Sequence, residues 1–490
     1  MNSNKTKTSL TALILMGLLS INNAATADVP EGRTVRKHQE KVGGLHQKYK
    51  EQHRTKISVE KKAVVRRIKD VDLVIEDKSI AKNALLKKYI KKILKSKGDE
   101  KLVERYIWLI NDIPGYEVDY DFRDLRTSRN VKEVELILKI TRTKAKLAVE
   151  SSNHGTADIG KYQFASTAQM LNPFGWNDSY SVNVGTSDKP KSLLLVTGGY
   201  NNKLNSCGTE FNFVGSYMRD DNYREQGRSN TKYNTSTLFR GELVQPLIMT
   251  NNNGLDFGIG VDRREVTNYA TSTANVTSKT ISYNYVTGYA FAKGRHLDFL
   301  KGQNLLTVHF YNTLDKANIT VFDSTSESAF DSNFGYFAAD YYREQPLFLK
   351  KLSYLLHAAG HYSNNTLPTE NQFFVGGAHS GKGYRSGLIS SNKGALLYSE
   401  LRYDFEFNNK FMSKLQPYAF YEGAYISKPR CTVNKSQFYS GGGGVRVSFF
   451  GGIMADFELA IPVTKKVTVD GVVRDNPTKF NFFVFKEFSF

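Results

Sequence analysis

The spacing of apolar residues changes once along the chain, near residue 145. Before that point Leu85, Leu86, Tyr89, Ile90, Ile93 and Leu94 recur at three- and four-residue intervals, which predicts an amphipathic helix over 79–97. Gly98 and Asp99 break the pattern, and a second helix is expected over 100–111, ended by the turn at Pro114 and Gly115. Strand-like runs flank the pair: "AVVRRIKDVDLVI" (63–75) before, "YEVDYDF" (116–122) and "VKEVELILKIT" (131–141) after. The order β-α-α-β-β describes a small α+β domain over 63–145.

From 146 onward the period becomes two. Tyr180, Val182 and Val184 alternate with polar neighbours, as do Leu255, Phe257, Ile259 and Val261, then Leu306, Val308 and Phe310. Such segments recur to the C-terminus, separated alternately by short turns and longer polar loops. Sixteen begin near residues 145, 161, 179, 192, 209, 236, 254, 278, 303, 334, 352, 395, 413, 436, 451 and 476. Alternation with apolar positions outward and polar ones inward predicts an all-β transmembrane barrel of 16 antiparallel strands over 146–490. An even number returns the C-terminus to the rim where the barrel starts. The last segment, "KFNFFVFKEFSF", sets Phe480, Phe482, Val484, Phe488 and Phe490 on one face, which suits lipid and not water. Lys486 interrupts that face near its end, where a long cation snorkels to the interface.

Composition agrees with strands that face two solvents. The chain has 490 residues, 40% of them apolar, yet holds 28 Tyr and 31 Phe against 2 Trp. That apolar share and a mean hydropathy of −0.43 are low for a helical membrane protein, and beyond the N-terminal segment no apolar run approaches the length of a spanning helix. At the N-terminus, Lys5 and Lys7, the apolar run 10–21 and Ala25-Thr26-Ala27 read as a signal peptide over 1–27. Residues 28–62 are a basic linker with little apolar content. Much of the net charge of +19 falls on the α+β domain and its approach, as a solvated face or a surface for an acidic partner; nucleic acid is not implied. Cys207 and Cys431, the two cysteines, fall on opposite rims of the expected barrel and so stay unpaired.

Signatures of catalysis are missing. Nine histidines occur without an H-E-x-x-H, and there is neither a C-x-x-C nor a G-x-S-x-G, so no enzyme, metal or cofactor is expected. One stretch, "GGAHSGKGYRSG" (376–387), comes within one residue of a phosphate-binding loop, but Gly383 stands where a Ser or Thr hydroxyl is needed. No helix pattern follows it: Gly387 and Gly394 intervene and a strand resumes at Ala395, so the nucleotide reading fails.

Four stretches carry a resemblance to the TpsB transporters of two-partner secretion, the ShlB/FhaC/HecB hemolysin secretion and activation family, in the superfamily of the assembly factor BamA. "ERYIWLINDIPGYEV" (104–118) is similar to that family's pattern in its second POTRA domain, with Glu104, Arg105, Pro114 and Gly115 as the matching positions. "SSNHGTADIGKYQF" (151–164) is similar to the N-x-G run that opens the family barrel. "FFVGGAHSGKGYRSG" (373–387) resembles the loop motif carried by Gly376, Gly377, Lys382, Gly383, Tyr384 and Arg385, and "PYAFYEGAYI" (417–426) resembles a strand motif whose carboxylate is Glu422. In the family an arginine and an aspartate stand at the positions of Lys382 and Glu422.

The resemblance implies that 365–394 fold into the barrel lumen, and that Lys382, or Arg385 in a shifted register, pairs with Glu422. Family members usually carry two POTRA domains, whereas this chain has room for one recognisable unit, 63–145, which matches the second and is expected in the periplasm, with 28–62 as linker or as the remnant of the first. Phe488 and Phe490 resemble a C-terminal sorting signal read by the assembly machinery. The implied protein is a monomer in the outer membrane of a Gram-negative bacterium, in contact with its lipid. It passes an unfolded exoprotein from the periplasm to the outside. The alternatives are an assembly factor of the BamA type or a simple porin.

Overall fold

A computed structural model describes residues 65–75, 77–127, 131–156, 159–220, 232–271, 277–322, 330–349, 351–407, 411–429, 433–469 and 471–490. The segments read as signal peptide and basic linker, and Cys431, lie outside the described residues.

The first unit contains β1 (Val65–Ile75), α1 (Ala84–Lys95), α2 (Glu100–Asn111), β2 (Tyr116–Thr127) and β3 (Val131–Arg142). Its sheet has the order β1-β3-β2, with β1 parallel and β2 antiparallel to β3. Helix α1 begins later than the apolar spacing suggests, because Ile80–Lys82 form a 3-10 turn first. Asn83 then caps α1, its side-chain oxygen accepting the Leu85 and Leu86 N–H groups at 2.9 Å each. The helices bury Leu86, Tyr89, Ile93 and Ile110 against Leu136, Leu138 and Ile140 of the central strand.

Sixteen strands then close into a barrel. They are β4 (Ala145–Ser152), β5 (Gln163–Leu171), β6 (Asp178–Ser187), β7 (Leu193–Lys203), β8 (Glu210–Asp220), β9 (Lys232–Met249), β10 (Asn253–Thr271) and β11 (Thr277–Leu297). After these come β12 (Gln303–Thr313), β13 (Gly335–Pro346), β14 (Leu352–Tyr362), β15 (Ile389–Tyr403), β16 (Met412–Pro429), β17 (Gln437–Phe449), β18 (Ile453–Pro462) and β19 (Lys479–Ser489). Neighbours in sequence pair antiparallel, and β19 returns to β4 with Phe483 opposite Ser152 and Ser489 opposite Lys146. The all-β barrel of the expected strand number is therefore present.

Two faces with different chemistry explain the Tyr- and Phe-rich composition. On β19 the outward Phe480 and Phe488 are 57% and 42% exposed, while the inward Phe483 and Phe485 are 6% and 2%. Inward positions elsewhere carry Tyr, among them Tyr283, Tyr285, Tyr289 and Tyr311, whose hydroxyls suit a polar interior. The Lys486 ammonium lies 5.0 Å from the centre of the Phe488 ring, on the outward face close to the near rim.

One strand boundary departs from the sequence reading. β15 starts at Ile389, before the Ala395 that the pattern indicated, and runs through Gly394. The Phe373 ring covers Gly394 so closely that a Cβ there would lie 2.1 Å from its Cδ1. The glycine read as an interruption is thus mid-strand, accommodating a ring from the preceding loop.

Candidate functional site

Between β14 and β15 the chain turns inward and crosses the barrel bore. Its first part leans on β11: the Tyr283 hydroxyl donates to Glu370 at 2.6 Å and the Tyr285 hydroxyl to Asn371 at 3.2 Å. Residues Phe373–Val375 pair with Ile389–Ser391, and the segment 376–387 then projects from that short ladder. The projection is a compact knot of turns. Gly377 N–H lies 3.2 Å from the Tyr384 carbonyl, and the Tyr384 and Gly387 N–H groups donate to Gly381 and Gly376 at 2.9 and 3.2 Å.

Two glycines of the knot have separate causes. Gly376 has φ +109°, and a Cβ there would come within 2.1 Å of the Arg385 carbonyl oxygen. Gly383 has no such backbone demand but sits against the wall, where a Cβ would be 2.7 Å from the Pro462 nitrogen and 2.9 Å from the Ser440 Cβ. A Ser or Thr at 383 has no room, so close approach to the barrel explains the residue that spoils the phosphate-loop pattern.

Glu422 on β16 is 1% exposed and receives the knot through its backbone. The Gly381 N–H donates to one carboxylate oxygen at 3.1 Å; the Lys382 N–H and the Ser440 hydroxyl donate to the other. The Gly383 N–H lies 3.3 Å from Ser440 Oγ. The expected side-chain pairing is different in the structure: the Lys382 ammonium pairs with Glu458 on β18. It also lies 5.1 and 4.9 Å from the ring centres of Tyr398 and Phe420. Among the described residues no hydrogen bond or ion pair joins Arg385 to Glu422. The reason is geometric: with two consecutive backbone amides turned onto Glu422, the Lys382 stem leaves the knot toward the next inward carboxylate.

Beyond Glu458 the wall continues as a charged network that the sequence reading missed. Tyr418 Oη lies 2.8 Å from Asp456 and 3.0 Å from Glu458. Arg446 bonds Asp456 at 2.9 Å and grips both oxygens of Glu400 at 2.6 and 2.7 Å. Arg402 pairs with the same Glu400. The signal for these residues was present: each lies at an inward position of an alternating strand, as in Asp456-Phe457-Glu458. Nothing local, however, distinguishes a paired lumen charge from a hydrated one.

Tyr384 is fully buried, its hydroxyl donating to the Tyr439 carbonyl at 2.8 Å and its ring edge-on to Phe438 at 5.5 Å. A hairpin of Lys466–Val469 and Val472–Asp475 lies at the rim farther from the α+β unit. Its Val467 and Val469 join Tyr384, Phe438 and Val375 in one apolar cluster. The knot is therefore held by hydrogen bonds on the wall and covered by an apolar lid strand.

At the other rim, α2 seats the α+β unit on the barrel turns. Arg105 donates to the carbonyls of Leu247, Pro246 and Cys207 at 3.0, 2.9 and 3.2 Å. Glu104 accepts the Asn251 side-chain amide at 2.9 Å, and burial pushes its carboxyl above the usual range. Trp108 donates to Asn251 at 2.9 Å, and Lys92 of α1 donates to the Ser206 carbonyl at 2.9 Å. Gly115, with φ +84°, turns the chain beneath Thr143 and Leu171, and Pro114 precedes it. Cys207 is exposed in the β7–β8 turn of this rim and is a free thiol.

A closed barrel with an apolar outer belt and a loop fastened in its bore is the architecture of an outer-membrane β-barrel protein. Residues 134–447 match the family described as haemolysin secretion/activation protein ShlB/FhaC/HecB, and this chain belongs to that family. A relative is the heme/hemopexin transporter protein HuxB of Haemophilus influenzae (strain 86-028NP), 21% identical over 391 residues, or 78% of this chain and 66% of that protein. The HuxB protein of strain ATCC 51907 is 22% identical over 318 residues, 61% of this chain and 52% of its own length. The chain thus spans just under two thirds of one relative and about half of the other. Among solved structures, CdiB from Escherichia coli aligns with TM-score 0.67 at 16% identity, covering 87% of this chain and 77% of that one. BamA from Haemophilus ducreyi lacking POTRA domains 1–3 aligns at 0.53 and 13% identity, covering 87% and 85%. Both likenesses are of fold.

Proposed function

We propose that this protein secretes a large partner exoprotein by two-partner secretion, passing it unfolded through the barrel from periplasm to exterior. The observation that carries this reading is the knot at 376–387. It lies inside the bore, fastened chiefly through N–H groups to one wall carboxylate and through one ammonium to another. Such contacts can be exchanged for water when the loop withdraws, leaving a path lined by paired charges and tyrosines.

In this reading the α+β unit is a POTRA domain in the periplasm that receives the client. Among the described residues the outer strands of its sheet, β1 and β2, each pair on one side only, and a client segment would add to such an edge. A groove beside β2 is lined by Val103, Ile107, Tyr120 and Phe122, which suits apolar side chains of an added strand. The exposed face of α1, with Lys87, Lys88, Lys91 and Lys95, would attract acidic client segments. Folding outside drives export by preventing return, so the reading needs no nucleotide. The knot and wall act as the gate, with Lys382, Gly383, Tyr384 and Glu422 as its working residues. The terminal Phe488 and Phe490 serve recognition by the assembly machinery.

Deleting the gene and comparing secreted and outer-membrane proteins tests this reading. One large secreted protein is expected to vanish while other barrels keep their abundance. A general loss of barrel proteins from the outer membrane would contradict secretion and indicate an assembly role.

A further inference from the structure

Fifteen of the barrel's sixteen strand pairs join consecutive strands, whose connection limits the register. The remaining pair, β4 with β19, joins the two ends of the barrel sequence and has no connecting turn. A slip of two residues along this seam would keep every side chain on its proper face, so alternation alone cannot prevent it.

The seam has a fixed device at its outer end. The ladder runs from a mutual pair at its inner end, where Ala145 N–H lies 3.2 Å from the Phe490 carbonyl and Phe490 N–H lies 2.9 Å from that of Ala145. Counting by twos, the next mutual pairs fall at Leu147 with Phe488, Val149 with Lys486 and Ser151 with Val484, and the series then reaches Asn153 with Phe482. There only half of the backbone pairing forms: Asn153 N–H donates to the Phe482 carbonyl at 3.3 Å. The other half is supplied by the Asn153 side chain. Its Oδ1 accepts the Phe482 N–H at 2.7 Å, and its Nδ2 donates to the Phe480 carbonyl at 2.7 Å. The carboxamide thus takes the place of the next peptide group of a strand that has already turned away. Tyr162 packs beside this clip, its ring centre 6.1 Å from that of Phe482.

We propose that Asn153 is a positioning residue that sets the register in which the first and last strands close the barrel. Only a primary amide on a short stem presents an acceptor and a donor with this spacing. Aspartate keeps the acceptor for Phe482 but loses the donor for Phe480, and alanine loses both. Among the described residues its side-chain hydrogen bonds go to Phe480 and Phe482 of the last strand and none to 376–387, so its effect is on closure and not on the gate.

The test uses the full chain refolded into phospholipid vesicles, with cysteine pairs across the seam in a Cys207→Ser, Cys431→Ser background. Ala148→Cys with Glu487→Cys reports the native register, since these residues face each other. Ala148→Cys with Ser489→Cys, and Ala148→Cys with Phe485→Cys, report slips of two residues in either direction. With Asn153 present, only the native pair should crosslink on oxidation. Asn153→Ala should lower the native crosslink at least threefold and raise a slipped one, or lower the heat-resistant folded band on gels to the same extent. Asn153→Asp should fall between. Native crosslinking and folded yield unchanged in both variants would overturn the proposal. The readout is independent of secretion, so this result and a failure of the secretion reading are distinguishable.

Discussion

Glu422 owes its role to what it accepts, not to a cation. Two backbone N–H groups and a hydroxyl end on this buried carboxylate. Removing it strands donors that each cost about 1–3 kcal/mol when unsatisfied. Lys382→Ala leaves those bonds in place, and Glu458 keeps Tyr418 and Asn481 at 3.0 and 3.1 Å. Glu422→Ala should therefore release the knot more than Lys382→Ala does. Trypsin cleavage within 376–387 measures this at Arg385 in both variants, with faster cutting expected in Glu422→Ala. Gly383→Ser should also loosen the knot, because its side chain meets the Pro462 backbone and Ser440; cleavage at Arg385 faster than in wild type checks this. At this scale the resemblance named Lys382 and Glu422 as a side-chain pair, and the structure joins them through the Lys382 N–H while the ammonium pairs with Glu458. The resemblance missed that the meeting is through the main chain, because a motif written in side chains does not record where an N–H points.

Element boundaries were legible wherever a pattern ran long enough to dominate. α2 spans the expected 100–111, set by Asp99, whose side chain caps Lys101 and Leu102 at its start. The start of α1 was blurred by a 3-10 turn that shares its apolar spacing, and the start of β15 by a glycine whose purpose lies in the ring above it. Docking of α2 on the barrel turns was not legible at all, because carbonyl acceptors at 207, 246 and 247 carry no sequence signal. Arg105→Ala removes bonds to three carbonyls at once, and charge-assisted bonds of this kind contribute about 1.5–3 kcal/mol each at most when buried. The variant should loosen the α+β unit on the rim, where Asn251 and Ser206 still hold Glu104, Trp108 and Lys92, while its own fold persists. Limited proteolysis near residues 143–145 checks this, with faster cleavage expected and unchanged helix content by circular dichroism.

For the whole molecule, the barrel and its contents divide the work. The apolar outer belt holds the protein in the membrane, the seam closes the barrel, and the knot is fastened to the inner wall beneath its hairpin cover. Strand number was readable because a two-residue period survives in most barrel strands, although not across the four consecutive glycines of β17. The seating of the loop was not, since it depends on contacts between residues far apart in sequence, such as Tyr384 with Tyr439 and Glu370 with Tyr283. If the basic face of α1 engages the client, replacing Lys87, Lys88, Lys91 and Lys95 with Gln should weaken client binding. The loss should shrink as ionic strength rises, since salt screens the wild-type attraction. Single-channel recording in planar bilayers, comparing wild type, Lys382→Ala and Glu422→Ala, tests whether the knot closes the bore through Glu422. Wild type should show small or rare openings, Lys382→Ala a modest rise, and Glu422→Ala a several-fold larger open-state conductance or occupancy. Equal conductance and occupancy in wild type and Glu422→Ala would contradict closure through Glu422.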